Sequence, residues 1–271
     1  MLDIPEQGKL LQRAKGRAEV VFGAGGLKHL HQSGCAKVLL PRNFQPVPEA
    51  VFLNTSGGVT GGDQLDYTAK VEVDAALCVT TQAAERIYKS SSSVAKISNT
   101  VVLEDNGNLE WLPQETILFE GSALKRQLNV EMAESARFLA VETLVLGRKA
   151  MGETLHDDSL SDQWRVRRAG HLVYADRLRF GVPVSDTLSS MATLNGNRAV
   201  STIIYLGPDA EERLVQARNL FNFENVEAAA SAWNGMLSIR FLAPDAQPLR
   251  VALMSFLTRF RGCDLPRIWH M

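Results

Sequence analysis

The segment with the most unusual composition is a glycine-rich loop that ends at Asp63. It runs Ser56-Gly57-Gly58-Val59-Thr60-Gly61-Gly62-Asp63, and its glycines (Gly57, Gly58, Gly61, Gly62) permit backbone angles that other residues adopt poorly. Gly57 and Gly62 have the spacing of a phosphate-binding P-loop, which continues with Lys and then Ser or Thr. Asp63 follows instead, so a carboxylate replaces the phosphate-binding ammonium and nucleotide binding is not expected. The loop is therefore either a tight turn between strands or a platform that gives Asp63 a direct role.

Histidine and cysteine residues are too scattered to predict a preformed transition-metal site, which uses about four such ligands. Only His29 and His31 resemble paired ligands, because alternate residues of a strand face the same side. Surface histidines are the favoured interpretation, and a weak, transient site built from carboxylates with one histidine is the alternative. Three cysteines without a CxxC motif favour a reducing compartment, and a cytoplasmic location is expected.

Acidic residues are the remaining candidates for chemistry. The chain has no Gly-x-Ser-x-Gly elbow, and Cys78 lies in an apolar run, where a thiol is usually inert. Paired carboxylates for acid–base work or weak metal binding are supplied by a small set of acids: Asp63, Glu85, Glu115 and Glu142. Each is equally explained as a solvated or ion-paired acid, because the sequence alone does not show which of them converge.

Charge and hydropathy exclude several partners. The net charge of -1 argues against a nucleic-acid binder that depends on bulk positive charge. A basic stretch between Arg165 and Arg179 would form one face of a strand, which suits an acidic protein partner or an ordinary solvated surface. The longest apolar run, from Ala75 to Val79, is far shorter than the about 20 residues that a membrane span needs. Neither a nucleic acid nor a membrane is therefore an expected partner.

Short strands dominate the elements that must position these residues. Five segments favour strands: 70–73, 116–119, 128–132, 172–175 and 237–242. Segments 100–104 and 109–112 flank an Asn-Gly pair and predict a hairpin. Residues 135–146 fit either a helix or a strand.

Two or three α-helices are expected in the C-terminal third. One opens at Pro208 and Asp209, an alanine-rich second covers 228–233, and the clearest follows Pro248 and ends near Gly262. The length of 271 residues without an evident linker predicts a single domain over 1–271 that is mainly β.

Five motifs, taken together, resemble the family of the urease accessory protein UreD, called UreH in some organisms. They occur in the order that the family shows: 57–65 (GGVTGGDQL), 80–90 (TTQAAERIYKS), 110–115 (EWLPQE), 146–153 (LGRKAMGE) and 265–269 (LPRIW). Each motif alone is weak, and the ordered set is specific. This chain departs from the family pattern at Thr55-Ser56, where members often carry two prolines, and at Gln82–Glu85.

The resemblance implies a maturation factor without enzymatic activity. Members of the family bind apo-urease and, with the partners UreF and the GTPase UreG, deliver nickel to the urease active site. The implied fold consists of stacked strands in a β-helix-like arrangement with a few helices. No tightly bound cofactor is implied, and nickel would be a transient cargo on a polar path. Asp63 is the first choice for that path, followed by Glu85, Glu115 and Glu142.

Two further functions compete with this hypothesis. A carboxylate-based hydrolase on a β-helix-like fold would bring two acids together and turn over substrate as an isolated chain. A nickel-storage protein would require many more histidines or cysteines than the 5 and 3 of this chain.

Overall fold

A computed structural model describes residues 12–42, 45–91, 93–153, 155, 158–180 and 188–271. Within these ranges the strands in chain order are β1 Lys15–Gly23, β2 Gly26–Gly34, β3 Ala36–Leu39, β4 Glu49–Asn54, β5 Gln64–Val71, β6 Ala76–Thr81, β7 Glu85–Ile87, β8 Ala95–Leu103, β9 Asn108–Leu112, β10 Thr116–Leu118, β11 Ala123–Met132, β12 Arg137–Leu146, β13 Ser159–Arg168, β14 His171–Phe180, β15 Ala199–Leu206, β16 Glu227–Trp233 and β17 Met236–Ala243. The α-helices are α1 Arg213–Asn219 and α2 Ala246–Arg261, and short 3-10 turns cover Lys149–Met151 and Arg267–His270.

The chain winds as a solenoid of stacked coils. Successive strands alternate between a seven-stranded sheet, ordered β14-β13-β11-β8-β5-β1-β2, and a ten-stranded sheet that contains β4, β6, β9 and β12. Pairing between coils is parallel in the centre of both sheets, and the outermost pairs are antiparallel. The expected β-helix-like arrangement of stacked strands is therefore confirmed.

The predicted hairpin at Asn106-Gly107 is wrong. Residues 100–103 belong to β8 in the seven-stranded sheet, whereas 109–112 belong to β9 in the ten-stranded sheet. Asn106 has the positive φ that the turn requires, 55°, but the turn is a corner of the solenoid. Its side chain donates to Asp74 of the preceding corner at 2.8 Å. The Asn-Gly turn therefore connects strands of two different sheets, instead of two neighbouring strands of one sheet.

The predicted alanine-rich helix over 228–233 is also wrong, because these residues form β16. This strand pairs antiparallel with β17 along its whole length. Its burial alternates along the chain, so every second residue packs on the sheet. Pairing with an exposed sheet edge has overridden the helix propensity of alanine, which is a weak preference. The other two helices are confirmed as α1 and α2, but their predicted starts are wrong. Helix α1 begins at Arg213 and not at Pro208, and α2 begins at Ala246, so that Pro248 lies in its first turn. Helix α2 is capped by Asp245 and ends at Gly262, as expected.

The ambiguous segment 135–146 forms β12, a strand buried on both faces. One face, with Phe138 and Leu144, lies in the solenoid interior, and the other, with Val141 and Val145, packs beneath the helices. A strand covered on both sides needs apolar residues almost continuously, which removes the alternation that marks a half-buried strand. The apolar spacing that fits a helix is therefore incidental.

Two apolar cores follow from this architecture. One fills the space between the two sheets, and the second lies between the outer face of the ten-stranded sheet and the helices. In the described part of the chain no helix has the length and hydropathy needed to cross a bilayer.

Candidate functional site

The glycine-rich loop joins β4 to β5 and packs against the segment that follows β7. Val59 pairs with Ile87, and Tyr88 donates from its hydroxyl to the Gly57 carbonyl at 3.2 Å. A Cβ added to Gly61 would lie 2.1 Å from the Ser93 carbonyl oxygen, so only glycine fits there. The first two family-like motifs therefore meet in space, and the loop is a packed turn between strands.

Asp63 holds this loop to the start of β1. It is 4% exposed. Its Oδ1 accepts from the backbone N–H of Ala14 and its Oδ2 from that of Thr60, both at 2.8 Å. Both carboxylate oxygens thus have backbone partners. A role of Asp63 in nickel transfer stays a prediction, and the geometry gives this residue a structural task.

Glu85 lies at the mouth of a cavity formed beside the same loop. This Glu85 cavity has a volume of about 200 Å³, and its wall includes Asn54, Gly58 and Gln82. Burial raises the pKa of Glu85 to about 7, although hydrogen bonds from Asn54 and from a backbone N–H lower it in part. The Asn54 amide donates to Oε1 at 3.1 Å. The protein therefore holds an acid of nearly neutral pKa at a polar opening.

Glu142 lies deeper, on β12, between the two sheets. It is 4% exposed. Its Oε2 accepts from Trp164 Nε1 at 2.7 Å and lies 3.1 Å from Arg126 Nη2. Burial raises the pKa of Glu142 to about 7, with Arg126 opposing the shift and the carboxylate of Asp162 adding to it. Among the residues that the structure describes, Oε1 has no hydrogen-bond partner.

A central cavity links these two acids. It has a volume of about 50 Å³ and is lined by both Glu85 and Glu142, with Trp111 and Arg126 also in its wall. It shares Phe52, Tyr67, Thr81 and Glu85 with the Glu85 cavity. Trp111 Nε1, like Glu142 Oε1, is buried without a partner in the described part of the chain. An unpaired donor and acceptor beside a space of this size can be bridged by a water molecule.

A third cavity continues beyond Glu142. This Asp176 cavity, of about 20 Å³, shares Arg126 and Glu142 with the central cavity and adds Asp176 and Arg240. Asp176 and Arg240 form an ion pair with partly exposed side chains. Three cavities that share lining residues thus form a row from the glycine-rich loop through the solenoid interior toward this surface pair.

Glu115 does not join this row. Its backbone is next to Glu85, which donates its N–H to the Glu115 carbonyl at 2.9 Å. Its side chain, however, pairs with Arg250 of α2 at 2.9 Å. Arg250 also donates to Gln114 and to the Trp269 carbonyl. Glu115 therefore connects the ten-stranded sheet to α2 and to the C-terminal segment.

The remaining motifs join parts of the fold in the same way. Glu110 forms a two-pronged ion pair with Arg261 at the end of α2, at 2.6 and 2.9 Å. Trp269 is buried, and its indole lies 3.2 Å from the Thr80 hydroxyl. Arg148 pairs with Glu153 across the 3-10 turn. Much of the family-like pattern is therefore explained by packing between the sheet and the helices.

The sequence analysis missed Arg126 and Asp162, which face Glu142. Both occupy inward positions of their strands, and they are register partners on β11 and β13. A signal was present, because Arg126 alternates with Leu124 and Leu128, and Asp162 with Leu160 and Trp164. A charged residue in an otherwise apolar set of alternate positions indicates a buried polar group.

The paired histidines lie on the surface of the protein. His29 and His31 are exposed on β2, at the edge of the seven-stranded sheet. His156 lies outside the described residues. Across the described ranges, no three His, Cys, Asp or Glu side chains come close enough together to hold a metal ion. Of the four predicted acids, the fold brings only Glu85 and Glu142 to one cavity.

Comparison with known proteins identifies the family. The family model described as UreD urease accessory protein matches residues 14–270. The chain is 47% identical to the urease accessory protein UreD of Jannaschia sp. strain CCS1 over 261 residues, covering 96% of this chain and 97% of the relative. It is 44% identical to the protein of the same name from Xanthobacter autotrophicus (96% and 91% covered) and 42% identical to that from Rhizobium leguminosarum bv. trifolii (99% and 99%). The resemblance drawn from the five motifs is confirmed, and with it the class of accessory protein rather than enzyme. The chain belongs to the UreD family of urease accessory proteins.

Proposed function

We propose that this chain binds apo-urease and, together with UreF and UreG, delivers Ni²⁺ to the urease active site through its row of interior cavities. Membership in the UreD family supports the role in urease maturation. The observation that carries the proposed path is the shared central cavity, because it brings the carboxylates of Glu85 and Glu142 to one space inside the solenoid.

The ligand chemistry of the cavities suits an ion in transit. Their walls offer carboxylates, hydroxyls and amides, whereas imidazole is the side chain that retains nickel well. Isolated oxygen ligands would hold Ni²⁺ weakly enough to release it. Burial raises the pKa of both carboxylates, so each would bind a proton more readily than an exposed acid does when the ion has left.

Asp63 and Glu115 keep a place in the proposal through the surfaces that they organise. Asp63 would position the glycine-rich loop that forms one side of the Glu85 cavity. Glu115 would position the adjacent turn of α2. Direct contact of either residue with nickel is the weaker part of the hypothesis, because hydrogen bonds or an ion pair already engage their carboxylates.

The test is a reconstitution in which the chain carries Glu142→Gln. The amide keeps the shape of the side chain and removes the charge that attracts a dication. We expect less nickel per urease and lower ureolytic activity, while binding of the chain to apo-urease is unchanged. Glu131→Gln is the matched control, because Glu131 is an exposed acid on β11. Normal nickel loading with the Glu142 variant would contradict a path through the central cavity.

The competing hydrolase hypothesis gains no support from the family. It would require turnover by the isolated chain, and the curated relatives that match the whole chain are named as accessory proteins.

A further inference from the structure

A buried cation stands between the central cavity and the Asp176 cavity. Arg126 is 5% exposed and lines both. Its Nε and Nη2 donate to Asp162 at 3.1 and 2.6 Å, and its Nη1 donates to the Thr116 hydroxyl at 2.9 Å. Nη2 also lies 3.1 Å from Glu142 Oε2. The guanidinium therefore contacts the carboxylates of Asp162 and Glu142 at the same time.

This arrangement closes the row of cavities to a second cation. Both oxygens of Asp162 and Oε2 of Glu142 already accept hydrogen bonds. Of the carboxylate oxygens of Glu142 and Asp162, Glu142 Oε1 is the one that has no hydrogen-bond partner among the described residues. A divalent ion at that oxygen would lie next to a positive charge in a medium that screens poorly, and such contacts are strongly repulsive. The guanidinium does not relieve this repulsion by losing its proton, because arginine stays protonated in proteins.

We propose that Arg126 is a cationic gate, which fills the Glu142–Asp162 pair in place of a metal ion and must leave it before a divalent cation passes. The proposal rests on the nickel path proposed above. According to it, the carboxylates of Glu142 and Asp162 form a latent site, which can bind Ni²⁺ through oxygen atoms once Arg126 has moved away. The Thr116 hydroxyl lies beside this site. Occupation by the guanidinium and by the metal are mutually exclusive.

The experiment compares Ni²⁺ binding by the metal-free, full-length wild-type chain and by the Arg126→Gln variant, using equilibrium dialysis against nickel chloride. We expect the variant to bind one additional Ni²⁺ per chain that the wild type does not bind at the same free nickel concentration. Adding Glu142→Gln to this variant removes the extra ion. Arg126→Lys, which keeps a cation at the gate, shows no gain. Arg165→Gln is the control, since Arg165 is exposed on the outer face of β13.

Each result decides the question. Two results would refute the proposed gate. One is a folded Arg126→Gln chain that binds no more nickel than the wild type, and the other is an additional ion that is still bound when Glu142 is also replaced. Removal of a buried arginine can also unfold the chain in the absence of metal. In that case recovery of the near-ultraviolet circular dichroism spectrum on adding Ni²⁺ supports the proposal, and failure to recover overturns it.

The outcome is separable from that of the proposed function. If urease loading requires the wild-type chain and the Arg126 variant gains no ion, only the gate is refuted. If the ion is gained but urease is loaded equally well without the chain, the proposed delivery role fails and the latent site stands.

Discussion

Asp162 and Glu142 contact the same guanidinium, yet neutralising them has unequal consequences for stability. Asp162 supplies two of the hydrogen bonds of Arg126, at 2.6 and 3.1 Å, whereas Glu142 supplies one contact at 3.1 Å. Removing one partner of a buried ion pair typically costs about 3–5 kcal/mol, because it leaves a charge without compensation. We therefore expect Asp162→Asn to lower the free energy of unfolding by about that amount.

Glu142→Gln has a much smaller effect at pH 7. Burial raises the pKa of Glu142, so a neutral side chain at this position costs less free energy than it would at an exposed carboxylate. The amide oxygen can still accept from Trp164, and Arg126 keeps its pair with Asp162. The expected loss is below about 1 kcal/mol, on the scale of one neutral hydrogen bond.

Urea unfolding followed by tryptophan fluorescence measures both values, since Trp111 and Trp164 lie in the interior beside this site. Asp66→Asn is the matched control, because Asp66 is an exposed acid on β5, which belongs to the same seven-stranded sheet as the strand that carries Asp162. Equal losses for the Asp162 and Glu142 variants would refute the reasoning, and so would a loss below about 1 kcal/mol for Asp162→Asn.

Three further predictions concern the glycine-rich loop and the mouth of the Glu85 cavity. Gly61→Ala lowers the melting temperature more than Gly57→Ala does, because a Cβ at Gly61 overlaps the Ser93 carbonyl, whereas at Gly57 it meets no atom and costs only the strain of a φ of 78°; an equal loss in calorimetry would contradict this. Asp63→Ala removes two hydrogen bonds from backbone N–H groups to a carboxylate and costs about 3 kcal/mol, measured by urea unfolding; a loss below about 1 kcal/mol would be inconsistent with its structural task. Glu85→Gln weakens the pH dependence of stability between pH 4.5 and 7, the unfolded and folded pKa values of Glu85.

The sign of the last prediction follows from proton linkage. The folded chain holds the Glu85 proton up to a pKa of about 7, whereas the unfolded chain releases it near 4.5. This contribution to stability is fully present below pH 4.5 and is lost as the pH rises through 7, a change on the order of 3 kcal/mol. Unfolding free energies of the wild type and of Glu85→Gln that vary in parallel across this range would show that the pKa is not raised.

The sequence predicts the strands better than it predicts their partners. Segments such as 128–132 and 237–242 alternate or are rich in β formers, and they form strands as expected. The Asn106-Gly107 turn illustrates the limit. Its residues specify a positive φ, but whether the chain then pairs with itself or crosses to another sheet depends on coils far away in sequence.

Helices were predictable where their own residues determine them. The apolar spacing and the C-terminal glycine of α2 are local signals, and they are confirmed. Residues 228–233 are alanine-rich but form a strand, because β17 offers an unpaired edge that no local pattern reveals.

Only some residues of the candidate site could be predicted from the sequence. Glu85 and Glu142 were identified as acids near family-like motifs, but their approach across the solenoid interior depends on the stacking of coils. Asp63 was the first choice and Glu115 a weaker one, and only the positions of Ala14 and Arg250 show that their carboxylates are engaged elsewhere. Arg126 and Asp162 were overlooked because charge in an alternating strand is easily assigned to the solvent face.

The central claim is that urease receives its nickel with the help of this chain. The most direct measurement is the nickel content per urease after maturation with all other accessory proteins, in the presence and in the absence of the chain, with ureolytic activity recorded in parallel. We expect both nickel content and activity to be lost without the chain and restored when it is added back. Full nickel loading without it would contradict the account.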